Sequence, residues 1–206
     1  MWFSRRHLLI LPLAILAGRR AAAAADPGTA PAALIERLYA VLLAVMKQAK
    51  KLSFDERYKR LAPAIEQAFD LGLMTRIAIG PAWAGLAANQ QQRLSLAFAR
   101  YTISNYANRF DDYGGERFEV SPKAAANPNG VIVDSRLVKP NGESVSLNYL
   151  LRQDAAGVWK IIDVYLSGTV SELATRRSEF SAVLQRGGAD ALVQMIEQRS
   201  AALRAG

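Results

Sequence analysis

The apolar pattern changes period twice along this chain, and nothing else in the sequence limits the fold as much. Up to about residue 112 the apolar residues recur at helical spacing. From 117 to 166 they alternate one by one, and from 169 onward they return to helical spacing. Helices, then strands with short connections, then helices do not suit a parallel sheet, whose strands need long crossovers. The pattern predicts an α+β domain with an antiparallel meander.

Within the helical part, Leu34, Leu38, Val41, Leu42 and Val45 make one face of a helix over 32–51, and Ile35, Tyr39 and Met46 make a second. Ser53-Phe54-Asp55-Glu56 has the form of a capping box opening a helix to about Phe69, with Pro63 as a break or kink. Asp70 suits the cap of a further helix ended by Gly80-Pro81. The long helix over 89–112 carries two apolar stripes, Leu94, Phe98 and Tyr101 on one and Leu96, Ile103, Ala107 and Phe110 on the other. Such a helix lies between two surfaces, or between a core and a cavity.

In the alternating part, a short strand is expected over Arg117 to Ser121. Val131, Val133 and Leu137 then alternate with Asp134 and Arg136, and Val145, Leu147, Tyr149 and Leu151 with Ser146, Asn148 and Arg152. Pro140-Asn141-Gly142 and Asp154 to Gly157 are turns, and Val158 to Leu166 is the last of four strands. One polar face implies helices on one side of the sheet only. Thr169 to Glu172 reads as a second capping box, and Gly187-Gly188 as the end of the helix it opens.

The first 25 residues read as a leader. Arg5 and Arg6 precede a ten-residue apolar run from Leu8 to Ala17, and Ala23 to Ala25 precede Asp26. The run falls short of the roughly 20 residues that span a bilayer, so a cleaved signal peptide is expected. Ser4 to Leu9, with Arg19 and Arg20 beyond, also resembles a twin-arginine signal; general secretory export stays open. Residues 26–31 form a linker and 32–206 one domain.

Removal of the leader changes the chemistry that is left. Four of the 26 basic residues and none of the 18 acids lie in it, so the net charge falls from +8 to +4. The only histidine, His7, leaves too, and there is no Cys. Serine–histidine and cysteine–histidine catalysis and imidazole or thiolate metal sites are thereby excluded, and no metal or cofactor is expected. Asp111, Asp112, Glu116, Asp134 and Asp163 show no spacing that specifies an acid–base pair. The basic run Lys47, Lys50, Lys51, Arg57, Lys59 and Arg60 fits a solvated helix end, or a surface for anionic lipid or an acidic partner. Nucleic-acid binding would want a basic face interleaved with aromatics and would be odd for an exported protein, so nucleic acid is not expected.

Three groups of residues resemble a known family. These are Phe69-Asp70-Leu71 with Met74, Gly80 and Trp83; Tyr101 to Phe110 followed by Tyr113 to Glu116; and Trp159 to Val164 with Gly168 and Arg177 to Phe180. Together they are similar to the MlaC-like periplasmic lipid carriers, the toluene-tolerance auxiliary family. Residues 101–110 resemble the hopanoid-associated HpnM branch. Ser167 to Val170 departs from the Glu-Gly-Val-Ser of many members. The resemblance implies helices packed on a curved four-stranded antiparallel sheet, similar to nuclear-transport-factor-2-like domains, around an apolar pocket. It also implies a phospholipid or hopanoid as ligand and an ABC-type transporter as partner.

On that reading the pocket wall is sought among Leu73, Ile77, Trp83, Leu94, Phe98, Tyr101, Val131, Val133, Leu147, Tyr149 and Ile161, each of which also suits ordinary core. Lys47, Lys50, Lys51, Arg176 and Arg177 are candidates for headgroup or partner contact. A monomeric, non-enzymatic shuttle with transient membrane contact is expected. A carboxylate-using pocket enzyme and a ligand-free adapter remain the alternatives: convergent acids in a pocket favour the first, a closed core the second.

Overall fold

The structure, a computed structural model, describes residues 30–205. The leader expected over 1–25 lies outside the described residues. Helix α1 (Pro31–Met46) opens with Pro31 in its first turn, where a missing N–H costs nothing. After a 3-10 turn at Ala49–Lys51, α2 (Phe54–Ala68) starts on the capping box read from the sequence. Glu56 donates its N–H to Ser53 Oγ at 3.3 Å, and its carboxylate accepts from the Ser53 N–H at 2.8 Å. Pro63 does not end this helix, which continues to Ala68 with the ring on its exposed side.

Helix α3 (Leu71–Ile79) is capped by Asp70, whose Oδ1 accepts from the Leu73 N–H at 2.9 Å. It ends at Gly80, at a φ of 70°. That φ favours glycine, and a Cβ there would sit 2.9 Å from Nε of Arg177, so a larger residue would also have to displace that side chain. A 3-10 stretch over Gly80–Gly85 leads to α4 (Ala88–Arg109), which stops three residues before the expected Asp112. Asp112 is instead engaged locally, accepting from the Tyr113 N–H at 2.7 Å and facing Lys50 at 3.4 Å. Leu96, assigned to an apolar stripe, is 52% exposed, so the second buried face of α4 runs through Ile103 and Ala107.

The sheet has five strands rather than four, in sequence order and antiparallel throughout: β1 (Arg117–Asn127), β2 (Gly130–Val138), β3 (Ser144–Gln153), β4 (Trp159–Leu166) and β5 (Val170–Ser171). The extra strand is two residues long, too short to show alternation. β1 runs past the expected Ser121 because its register shifts between Val120 and Ala124. Pro122, which cannot donate to the ladder, sits in that bulge.

The last element, α5 (Glu172–Ala205), is two helices that meet at Gly188, whose φ of 71° and ψ of −170° are non-helical, so the first ends where the glycine pair marked a stop. Its cap is Ser171, not Thr169: Ser171 Oγ accepts from the Ala174 N–H at 2.9 Å. Thr169 lies in the turn that makes room for β5.

Elements α1 to α5 all lie against one face of the sheet. Val133, Tyr149, Leu151 and Ile161 point from it into a core shared with Ile35, Leu38 and Leu42 of α1, Leu61 and Ile65 of α2, and Phe98 of α4. Tyr39 stacks on Phe118 at 4.0 Å between ring centroids, fastening α1 to β1. The other face carries exposed Asp134, Arg136 and Ser146. A register shift beside Leu150 interrupts the alternation there, and Leu150 and Ile162 are buried as well. Pairs Arg93–Asp190 at 2.5 Å and Arg100–Glu197 at 2.9 Å line the α4–α5 seam, and Phe98 meets Phe180 edge to face beneath them.

Candidate lipid cavity

The helical layer does not close completely on the sheet. A cavity of about 90 Å³ lies between α3, α4, the start of α5, and strands β3 and β4. Its apolar lining is Phe69, Met74, Phe98, Phe110, Leu147, Val164, Leu166 and Leu173. Its polar lining is Thr102, Asn105 and Arg109 of α4 with Glu172 and Arg176 of α5, and the ring residues Tyr106 and Tyr149 complete it. Phe98, Thr102, Asn105, Tyr106 and Arg109 follow one another at steps of one to four residues. A single stripe of α4 therefore runs from the fully buried Phe98 to the exposed Arg109, from core to rim.

Next to the lining residue Tyr149, α1 and the sheet bring hydroxyl groups together. Tyr39 Oη and Ser135 Oγ are 2.5 Å apart, and Ser135 donates to the carbonyl of Leu147. Tyr149 lies edge to face against Tyr39 at 5.8 Å. Burial pushes the Tyr39 hydroxyl up to about 12, against the pull of its bonds to Ser135 and Tyr149. Burial likewise raises Tyr106 and Tyr149. These groups stay neutral at physiological pH and offer no base.

The α5 side of the cavity is pinned by Asp163 of β4. This buried carboxylate accepts from the Val164 N–H at 2.8 Å, from Ser171 Oγ at 2.5 Å and from the Leu173 N–H at 3.2 Å. It thereby ties β4 to the first turn of α5, next to three lining residues. At the rim, Arg176 pairs with Glu172 at 3.2 Å and donates to the Tyr101 hydroxyl at 2.9 Å. Burial pushes that hydroxyl up, but Arg176, Asn105 and Arg199 together bring it below the ordinary tyrosine value.

Of the wall residues proposed from sequence, Phe98, Leu147 and Tyr149 line this cavity. Tyr101 lies beside it as the partner of Arg176. Leu94, Val133 and Ile161 sit in the close-packed core, Ile77, Trp83 and Val131 pack half-buried against it, and Leu73 is half-buried on α3. Of the basic candidates only Arg176 reaches the lining. Arg177 donates from Nε to the Ile77 carbonyl at 3.1 Å, Lys47 lies over Tyr113, Lys50 faces Asp112, and Lys51 is exposed. Sequence reasoning passed over the polar members of the α4 stripe as well as Glu172 and the apolar Phe69, Met74, Phe110, Val164, Leu166 and Leu173. The signal that could have found the polar members of the stripe is Thr102, Asn105 and Arg109 recurring at helical steps beside Phe98.

Helices on one face of an antiparallel sheet, with a polar-rimmed apolar cavity between the layers, define an α+β pocket domain. The MlaC family model matches residues 36–198, and the chain belongs to that family. A solved structure described as the phospholipid-binding protein from Ralstonia solanacearum, in complex with a phospholipid, superposes with a TM-score of 0.72 at 26% identity. The match covers 84% of this chain and 98% of that one. No curated protein sequence matches the chain significantly.

Proposed function

We propose that this protein is a lipid carrier that holds the acyl or ring portion of a phospholipid or hopanoid between its helices and its sheet. The observation that carries this reading is the cavity itself: an apolar interior, open at a rim of polar groups, in a chain of the MlaC family. Its one carboxylate, Glu172, is already paired with Arg176, which argues against acid–base catalysis. The presence of a cavity argues against a ligand-free adapter.

The energetics explain the need for such a protein. Burying each CH₂ is worth roughly 0.8 kcal/mol, so a 16-carbon chain brings about 13 kcal/mol against crossing water unaided. The cavity is smaller than an engineered void of about 150 Å³ that accepts benzene. Admitting an acyl chain therefore requires the helical layer to part from the sheet.

The same reading places the protein in the periplasm after loss of the 1–25 leader, working as a monomer with a membrane-bound ABC-type transporter. Arg176 at the rim and Arg177, Lys47, Lys50 and Lys51 outside it are the basic groups offered to headgroups or to that partner. The hopanoid alternative rests on residues 101–110, of which Tyr101 to Arg109 form the last turns of α4. Transfer of labelled lipid from donor to acceptor vesicles tests the carrier role: acceleration by catalytic amounts of protein is expected, and the uncatalysed rate would refute it.

A further inference from the structure

We propose that Arg109 is the residue through which the cavity mouth selects among lipid headgroups, favouring one whose single net charge is that of its phosphodiester. This rests on the lipid-carrier reading and narrows it.

Two guanidinium groups line the cavity, and only one is available. Arg176 pairs with Glu172, donates to Tyr101 and lies 4.6 Å from the centroid of that ring. Its side chain is 16% exposed and that of Glu172 25%. A phosphate drawn onto Arg176 would strand Glu172 in a half-buried position without its counter-charge. Arg109, by contrast, is exposed at the C-terminal end of α4 and makes no hydrogen bond or ion pair with any described residue. Its place at a helix C-terminus suits a cation, so its charge needs no other partner.

The charges facing the cavity are Arg109, Arg176 and Glu172, which leave one positive charge uncompensated. The complement is a single negative charge, and the planar guanidinium fork matches two phosphate oxygens. Thr102 and Asn105, on the same stripe of α4, add a hydroxyl and an amide along the path from rim to interior. A neutral substituent beyond the phosphodiester brings no further charge. An ammonium group there would meet Arg109 and Arg176 with Glu172 already engaged. The expected order of preference is therefore phosphatidylglycerol, then phosphatidylethanolamine, then diacylglycerol.

The test loads the protein and its Arg109→Gln and Arg109→Lys variants from vesicles containing those three lipids with identical acyl chains, and reads the extracted ratios by mass spectrometry. The wild type should favour phosphatidylglycerol over diacylglycerol, and Arg109→Gln should reduce that ratio about tenfold, as for one charge-assisted hydrogen bond. Arg109→Lys should restore much of it. Glycerophosphoglycerol, the same headgroup without chains, should fail to compete. An unchanged ratio in Arg109→Gln would overturn the proposal. So would effective competition by the soluble phosphodiester, which would mark a site for free phosphate esters. If folded wild-type protein loads none of the three lipids, the carrier reading fails and this proposal with it.

Discussion

Arg176 is held by Tyr101 in two ways at once, donating to its hydroxyl at 2.9 Å while its guanidinium lies 4.6 Å from the ring centroid. The contact joins the start of α5 to the middle of α4 across the cavity rim. Tyr101→Phe keeps the ring and removes the hydroxyl. It should cost about 1–2 kcal/mol, the value of a hydrogen bond to a charged group discounted for partial exposure. Arg176→Ala should cost more, since it also leaves Glu172 unpaired. Urea denaturation of both single variants and the double variant measures the coupling, and additive losses would show that the contact carries no energy.

Asp163 holds the other side of the same segment. Asp163→Asn replaces a carboxylate that accepts three hydrogen bonds with an amide, one end of which donates. The amide oxygen can keep the Val164 and Leu173 N–H donors only if the NH₂ group faces Ser171. The Ser171 hydroxyl must then turn to accept and loses its own acceptor, and all three bonds lose the carboxylate's charge. A loss of about 2–3 kcal/mol is expected, read as a lower urea midpoint. Hydrogen exchange should rise first in β5 and the opening turn of α5. Uniform loss of protection across all helices would contradict a local clasp.

Filling the cavity should separate stability from loading. Leu147→Trp places an indole at a half-buried lining position and should cost at most about 1–3 kcal/mol. It should abolish most lipid uptake. Leu96→Trp, at a position 52% exposed and outside the lining, should leave uptake intact. Equal uptake by both variants would show that the lipid sits elsewhere.

The pH profile of stability should be flat through neutrality, because the one histidine, His7, lies outside the described residues 30–205. On the acid side, the Ser53 backbone and hydroxyl lower Glu56, Arg136 lowers Glu119, and Arg199 lowers Glu179. A carboxyl lowered by folding adds stability above its unfolded value and loses it as pH falls through the folded one. Stability should therefore decline below about pH 4.5. On the alkaline side, burial raises Tyr39 from 10.0 to about 12 and raises Tyr106 and Tyr149 as well. Their contribution is whole below pH 10 and is lost as pH rises through the folded values. Circular dichroism and tyrosinate absorbance followed together test this. The buried tyrosines should ionise with unfolding, and ionisation well before it would contradict their burial.

The change of apolar period made the α+β architecture readable, because period reports which face of an element is buried. Ser53 and Asp70 were readable as caps because capping is local, decided within three residues. Strand β5 and the continuation of β1 past Pro122 were not, since two residues show no alternation and a bulge resets it. The cavity was the least legible feature. Leu94 and Phe98 share a stripe on one helix, yet only Phe98 faces the space, because where the layers part depends on all of the elements around it. Arg109 and Glu172 carried no apolar signal at all.

The central claim, that this chain carries lipid in the cavity, is tested most directly by purifying the protein without detergent, extracting it with organic solvent and analysing the extract by mass spectrometry. A diacyl or hopanoid lipid in near-stoichiometric amount is expected from the wild type, and little from Leu147→Trp. A folded wild-type protein that yields no lipid, and takes up none from labelled vesicles, would contradict it.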